Sequence, residues 1–231
     1  MRKLLTFVFV VMILIFVKDS NLAAAQSTTP QWIQNLAVKN NANQIFVVAQ
    51  IGEKTTAWIS MHVKDPKGEW QQIMTTPGFI GKNGLGKERE GDNKTPIGVF
   101  HFNFAMGIAD DPNCLISYVK VDENYYWSGD ANYKYNQFVD IRDYPNLNTE
   151  DSEHIIDYNP HYTYALNISY NEEGKPGLGS AIFLHCFGPF KTWTGGCVAI
   201  PVDKMKFVMQ NVTPECVVVI DTLENLGGTI E

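Results

Sequence analysis

Residues 185–197 read HCFGPFKTWTGGC, which places His185, Cys186 and Cys197 within thirteen positions and sets Gly195 and Gly196 directly before the second cysteine. Three chemistries use such a set: a disulfide loop, a metal clip, or a thiol nucleophile with its base. Zinc asks for four ligands at familiar spacings, and His185 next to Cys186 with Cys197 far off, without any C-x-x-C, fits poorly. A Cys186–Cys197 disulfide would close a small loop and stands as the structural reading. The nucleophile reading accounts for more of the segment. A thiol attacks as thiolate, so it needs an imidazole to take its proton and backbone N–H groups to hold the charge that develops on the attacked oxygen. Gly195 and Gly196 offer amides unobstructed by Cβ atoms and a turn sharp enough to project the sulfur. His185 ends the apolar run AIFLH, a rigid place from which to present a base. On this reading the sulfur is held ionised beside the imidazole.

Two other clusters compete and carry less. GKNGLGKE (81–88) fits the phosphate-cradling pattern G-x-x-x-x-G-K, but Glu88 stands where a magnesium-binding hydroxyl is needed, so a glycine-rich hairpin or surface loop is the better account. Asp140, Asp143, Glu150, Asp151, Glu153, His154, Asp157 and His161 crowd one region, yet their spacing matches neither an EF-hand loop nor a two-histidine metalloprotease helix. A solvated acidic loop explains them. No metal and no organic cofactor is implied.

The elements that must position the segment read as strands. QIFVVAQ, TTAWISMHVK, GVFHFNFAM, NQFVDIR, YALNISY, AIFLHCF and CVVVIDT are β-branched and aromatic runs separated by Gly, Pro, Asn and Asp. They predict a mostly β fold, an antiparallel sandwich or barrel-like sheet with one or two short helices. PVDKMKFVMQN (201–211) is the clear helix, with Val202, Met205, Val208 and Met209 on one face and Pro201 in its first turn.

The basic start, the apolar run 4–17 and Ala23-Ala24-Ala25 mark residues 1–25 as a secretory signal peptide. A retained N-terminal membrane anchor is the competing reading, but the run stops at Lys18-Asp19, short of a bilayer span. Residues 26–43, polar and without periodicity, read as a linker or arm; 44–223 form one domain and 224–231 a C-terminal tail. A formal charge of −7 without a basic stripe argues against nucleic acid as a partner. An oxidising compartment makes disulfides legitimate, and the four cysteines, Cys114, Cys186, Cys197 and Cys216, allow three complete pairings.

At the quoted segment the chain resembles the L,D-transpeptidase catalytic domain family (YkuD-type). Its signature is a strand ending in His, a loop, then Ser or Thr, a variable residue, Gly, Cys and an aliphatic residue; here these are His185 and Thr194-Gly195-Gly196-Cys197-Val198. A second family-like stretch, Thr95-Pro96-Ile97-Gly98-Val99-Phe100, lies upstream as T-P-x-G-x-F. The resemblance implies that Cys197 attacks the carbonyl between the diamino and D-alanine residues of a peptidoglycan stem peptide. His185 would serve as base and acid, and the backbone of Gly195, Gly196 and Cys197 as oxyanion hole. The carbonyl of Cys186 would orient the imidazole. The thioester then passes to an amine, giving a 3-3 cross-link, or to water, giving L,D-carboxypeptidase activity. The implied protein is a secreted monomer at the cell wall. Three departures stand out: the loop from His185 to Cys197 is shorter than in many members, Gly195 replaces a second histidine, and Ala199 stands where Arg or Asn is frequent. A noncatalytic wall-binding module of the same fold is the rival. A papain-like peptidase is disfavoured because its Cys should precede its His. The remaining histidines, and the aromatics Tyr125, Tyr126, Trp127 and Trp193, read first as packing residues.

Overall fold

The computed structural model describes residues 27–230, so the expected signal segment 1–25 lies outside the described residues. In chain order the elements are β1 (Ser27–Thr28), α1 (Gln31–Lys39), β2 (Gln44–Gln50), β3 (Thr56–Lys64), β4 (Trp70–Phe79) and β5 (Gly98–Gly107). Then come β6 (Tyr118–Lys120), β7 (Tyr125–Trp127), β8 (Phe138–Asp140), β9 (Glu153–His154), and two 3-10 turns, Ile155–Tyr158 and His161–Thr163. The chain ends through β10 (Ala165–Ile168), β11 (Phe183–Cys186), β12 (Val198–Ile200), α2 (Val202–Asn211) and β13 (Val217–Thr222).

Ten strands form one sheet in the order β1-β4-β12-β11-β10-β5-β13-β2-β3, with β6 beside β5, and a β3–β4 pairing closes it into a barrel. The expected mostly β, barrel-like architecture is thus the one observed, and closure removes the exposed edges an open sheet would carry. Most pairings are antiparallel, but β11–β12, β13–β2 and β5–β6 are parallel. Strand β4 is absent from the sequence reading because Pro77 and Gly78 interrupt its pattern. Gly78 is required there: a Cβ would stand 2.2 Å from Ile59 Cδ1 and 2.9 Å from the carbonyl of Ala199. That close approach docks β12, and with it the cysteine turn, onto β4.

Strand alternation sorts the core. Phe46 and Val48 of β2, with Val218 and Ile220 of β13, face the main core, which Met205, Val208 and Met209 of α2 complete. Val202, expected on that helix face, is exposed, and Pro201 sits one place before the helix rather than inside it. The other face of the same two strands, Ile45, Val47, Ala49, Val217 and Val219, packs under Ile33 and Ala37 of α1. Within the stretch read as a linker or arm, β1 pairs with β4, α1 is docked, and the Thr29 hydroxyl meets His62 Nδ1 at 3.0 Å. Likewise Leu226 joins the α1 cluster, so the expected tail is docked in its first residues.

Ile33, fully buried, is expected to cost about 2–5 kcal/mol when truncated to Ala. Urea unfolding of Ile33→Ala checks this; a midpoint equal to that of the parent would show the arm to be dispensable.

Candidate active site

Period-2 alternation also builds the site. On β11, Leu184 and Cys186 point into the main core, while Phe183 joins a second cluster that contains Cys197, Tyr162, Trp127 and Ala181. Strand β12 runs parallel to β11 with Leu184 opposite Val198 and His185 opposite Ala199. Val198 and Ile200 take the core face, so Cys197 and Ala199 share the face of Phe183 and His185. His185 and Cys197 therefore sit one diagonal step apart on adjacent strands and line the same cavity of about 270 Å³. Continuing the register one step sets Cys197 beside Phe183, whose N–H donates to Sγ at 3.3 Å, while the thiol donates to the Ala181 carbonyl at 3.1 Å. Ala181 holds a left-handed φ of 54°. Asn136 Oδ1 steadies it by accepting its N–H at 3.0 Å and that of the Trp127 indole at 2.9 Å.

The turn before the cysteine is clamped from two sides. The Cys197 carbonyl accepts the Thr194 hydroxyl at 2.6 Å and the Thr95 hydroxyl at 3.1 Å, and Thr95 Oγ1 in turn accepts the Gly81 N–H at 2.9 Å. Thr95 of the TPIGVF stretch is thus an anchor of the cysteine turn. Gly196 adopts φ 147°, and a Cβ there would press within 3.0 Å of the Lys94 carbonyl and 3.1 Å of Ile182 Cδ1, so this position demands glycine. Gly195 makes no such demand: a Cβ would meet nothing within 4 Å. Beneath the turn, Lys87 and Asp92 form a buried ion pair at 3.1 Å.

His185 Nδ1 meets the Cys186 carbonyl at 2.8 Å, which leaves Nε2 for other partners. The imidazole is packed edge-on by Tyr162 at 5.5 Å and by His161 at 5.7 Å. His161 reaches this place because Gly188 has no side chain; a Cβ there would fall 1.8 Å from His161 Cε1. Burial dominates the electrostatics. It pushes the Cys197 thiol up to about 12, with the Glu153 carboxyl adding in the same direction, against the Phe183 N–H and Lys87. It lowers His185 to about 4, opposed by the Cys186 carbonyl. The resting pair is a neutral thiol and a neutral imidazole, not the ionised sulfur the sequence suggests, because the cavity withholds the water that would solvate separated charges.

Of the expected oxyanion donors, the Gly196 N–H goes to Thr194 Oγ1 at 3.1 Å, which leaves Gly195 and Cys197 as candidates. All four cysteines are free thiols, so no Cys186–Cys197 bridge forms. The acidic region disperses. His154 Nδ1 meets Asp157 at 2.8 Å, Asp140 pairs with Arg142, and among the described residues no group of three or more His, Cys, Asp or Glu side chains could hold a metal ion. Two of its members, Glu153 and His161, instead line the cavity, as do Glu90, Lys191 and Trp193. Glu153 stands on β9 and His161 in the second 3-10 turn, and their convergence on the cavity leaves no trace in spacing. Trp193, read as a packing residue, lies at the cavity with Lys82 and Lys191 over its ring at 5.0 and 5.2 Å.

A closed, mostly β barrel whose cavity holds a free cysteine and a buried histidine on adjacent parallel strands defines a class of domain built around one clustered thiol site. The chain belongs to the L,D-transpeptidase catalytic domain family (YkuD), whose profile matches residues 44–220. No curated protein matches it. Among solved structures it is similar to the helical cell shape determining protein Pgp2 from Campylobacter jejuni, at 14% identity and TM-score 0.40 over 78% of this chain and 48% of that one. It is also similar to a fused Zn-dependent amidase/peptidase/peptidoglycan-binding domain-containing protein from Clostridium acetobutylicum, at 12% identity and TM-score 0.40, covering 82% of this chain and 58% of that one. The Ldtfm–avibactam carbamoyl enzyme matches at 14% identity and TM-score 0.36, covering 78% of this chain and 49% of that one. The chain thus spans about half the length of the structures it matches. No helix among the described residues is long and apolar enough to cross a membrane.

A thiol raised this far is expected to react with iodoacetamide at pH 8 at least about a hundredfold more slowly than free cysteine. Peptide mass mapping of Cys197 over time measures it; a rate equal to that of free cysteine would mean a resting thiolate.

Proposed function

We propose that this chain is an exported L,D-transpeptidase that remodels peptidoglycan, with Cys197 as nucleophile and His185 as base and acid. The observation that carries the reading is the placement of both side chains on one sheet face, in one cavity, by the β11–β12 register. Because thiol and imidazole rest neutral, proton transfer from Sγ to His185 accompanies attack rather than preceding it. The sulfur bonds to the carbonyl carbon after the diamino residue, D-alanine leaves with the proton from His185, and a thioester remains on Cys197. An amine then attacks that thioester, its proton passing to His185, and the sulfur departs to re-form the thiol. Water in place of the amine gives the carboxypeptidase outcome. The Gly195 and Cys197 amides are the donors we assign to the developing oxyanion. The signal segment, and hence export, belongs to this proposal.

The leaving residue carries a carboxylate, and Ala199 offers it nothing. Lys191 supplies the missing charge: it lines the cavity and, among the described residues, makes no ion pair, whereas Lys87 is committed to Asp92. Lys191→Met is expected to raise KM about tenfold for a donor peptide with a free C-terminal carboxylate and to leave the C-terminal amide unchanged. Equal KM changes for both peptides would reject the assignment.

Incubation with a carbapenem, followed by intact mass, should show one covalent adduct that Cys197→Ala abolishes and that His185→Ala slows by about a hundredfold or more. Absence of an adduct under reducing conditions would favour the noncatalytic wall-binding module.

A further inference from the structure

Glu153, half-buried in the cavity wall, is a carboxyl that this chemistry leaves unused. It lies on β9, beside Trp127 of β7, and lines the cavity with Cys197. Its Oε2 accepts the Tyr162 hydroxyl at 2.7 Å. Tyr162, itself buried, stands edge-on to His185 at 5.5 Å and to Phe183 at 5.4 Å, and the Phe183 N–H is the one that donates to Cys197 Sγ. Glu153 is thus joined through Tyr162 to His185, and through Tyr162 and Phe183 to Cys197.

Its surroundings hold two lysines, and neither pairs with it. The second 3-10 turn contributes Tyr162 and His161, and the first contributes Tyr158, which stacks on Tyr162 at 4.8 Å. The loop before β5 contributes Glu90, which accepts the Tyr135 and Ser180 hydroxyls, and Lys87, which is spent on Asp92. The loop between β11 and β12 contributes Lys191 at the cavity, and the strands contribute His185 and Cys197. On β9 itself, His154 turns to Asp157 and the Glu123 carbonyl. Among the described residues Glu153 makes no ion pair, so it is either protonated or an uncompensated anion beside the nucleophile.

We propose that Glu153 is a positioning residue of the thiol site: through Tyr162 it sets the ring against which His185 packs, and its own protonation governs how readily Cys197 releases a proton. The inference rests on Cys197 being the nucleophile. Burial raises the Glu153 carboxyl to about 7, against the Tyr162 hydrogen bond that lowers it. Below that pH the carboxyl is neutral and adds nothing to the cost of forming a thiolate. Above it, a negative charge in the same cavity opposes ionisation of the sulfur.

The test needs no substrate. Iodoacetamide alkylation of Cys197 in the full chain is followed by peptide mapping from pH 5.5 to 9.5 in the parent and in Glu153→Gln, which keeps an acceptor for Tyr162. The two rates are expected to coincide below pH 6 and to separate through pH 7, with Glu153→Gln about tenfold faster above pH 8, as a single pK unit of coupling requires. Tyr162→Phe, which removes the bond that lowers Glu153, should move the step to higher pH. Profiles that superimpose at every pH, or a constant ratio between them, would overturn the proposal. Failure of the transpeptidase reading shows separately, as a parent protein whose thiol alkylates but never acylates with the carbapenem. Matched thermal melts identify any variant that fails to fold, in which case the position of the Tyr162→Phe step decides.

Discussion

Everything at the site depends on the parallel pairing of two short strands. Because β11 and β12 run side by side with Leu184 opposite Val198, alternation alone sends His185 and Cys197 to one face and Cys186 and Val198 to the other. A slip of one residue on either strand would turn one of these two side chains into the main core. The register is held from several directions at once: Gly78 lets β4 approach Ala199, and the Thr95 and Thr194 hydroxyls converge on the Cys197 carbonyl. The barrel is in this sense a device for fixing one diagonal between two side chains.

Burial gives that diagonal its chemical character. The environment that excludes water from the sulfur also keeps the imidazole uncharged, so the cavity holds a matched pair of neutral groups. Cys186 shows the same desolvation, with its thiol raised to about 11, yet faces the main core and serves only through its carbonyl. Two thiols of similar character are thus set in different surroundings by the direction in which the strands point them.

Much of this is legible in the sequence where residues act on neighbours along the chain. His185, Cys197 and the two glycines announce themselves because a strand end and a tight turn are local features, and the strand runs predict the barrel because alternation is local too. Long-range contributions are silent. Glu153, His161 and Lys191 reach the cavity from a two-residue strand, a 3-10 turn and a loop, all too short to show a period, and in a stretch crowded with acids Glu153 looks like its solvated neighbours. Helix α1 left one overlooked signal: QIFVVAQ is apolar on both faces, and a strand of that kind requires a cover on each side. The nearest uncommitted segment, residues 26–43, was the natural source of one. The ionised sulfur is the opposite case, a local inference undone by an environment that only the assembled fold creates.

The two lysines of the cavity differ in a way that reaches beyond geometry. Lys87 and Asp92 are nearly sealed, their side chains retaining 2% and 8% of their exposure, whereas Lys191 is exposed at the mouth. Mobile ions screen exposed charges over about 10 Å at 0.1 M ionic strength and hardly touch enclosed ones. The ion pair beneath the cysteine turn is therefore insensitive to salt, while the field of the lysine at the rim fades as salt rises, so brine leaves the architecture of the cavity standing and quenches only the charge at its entrance.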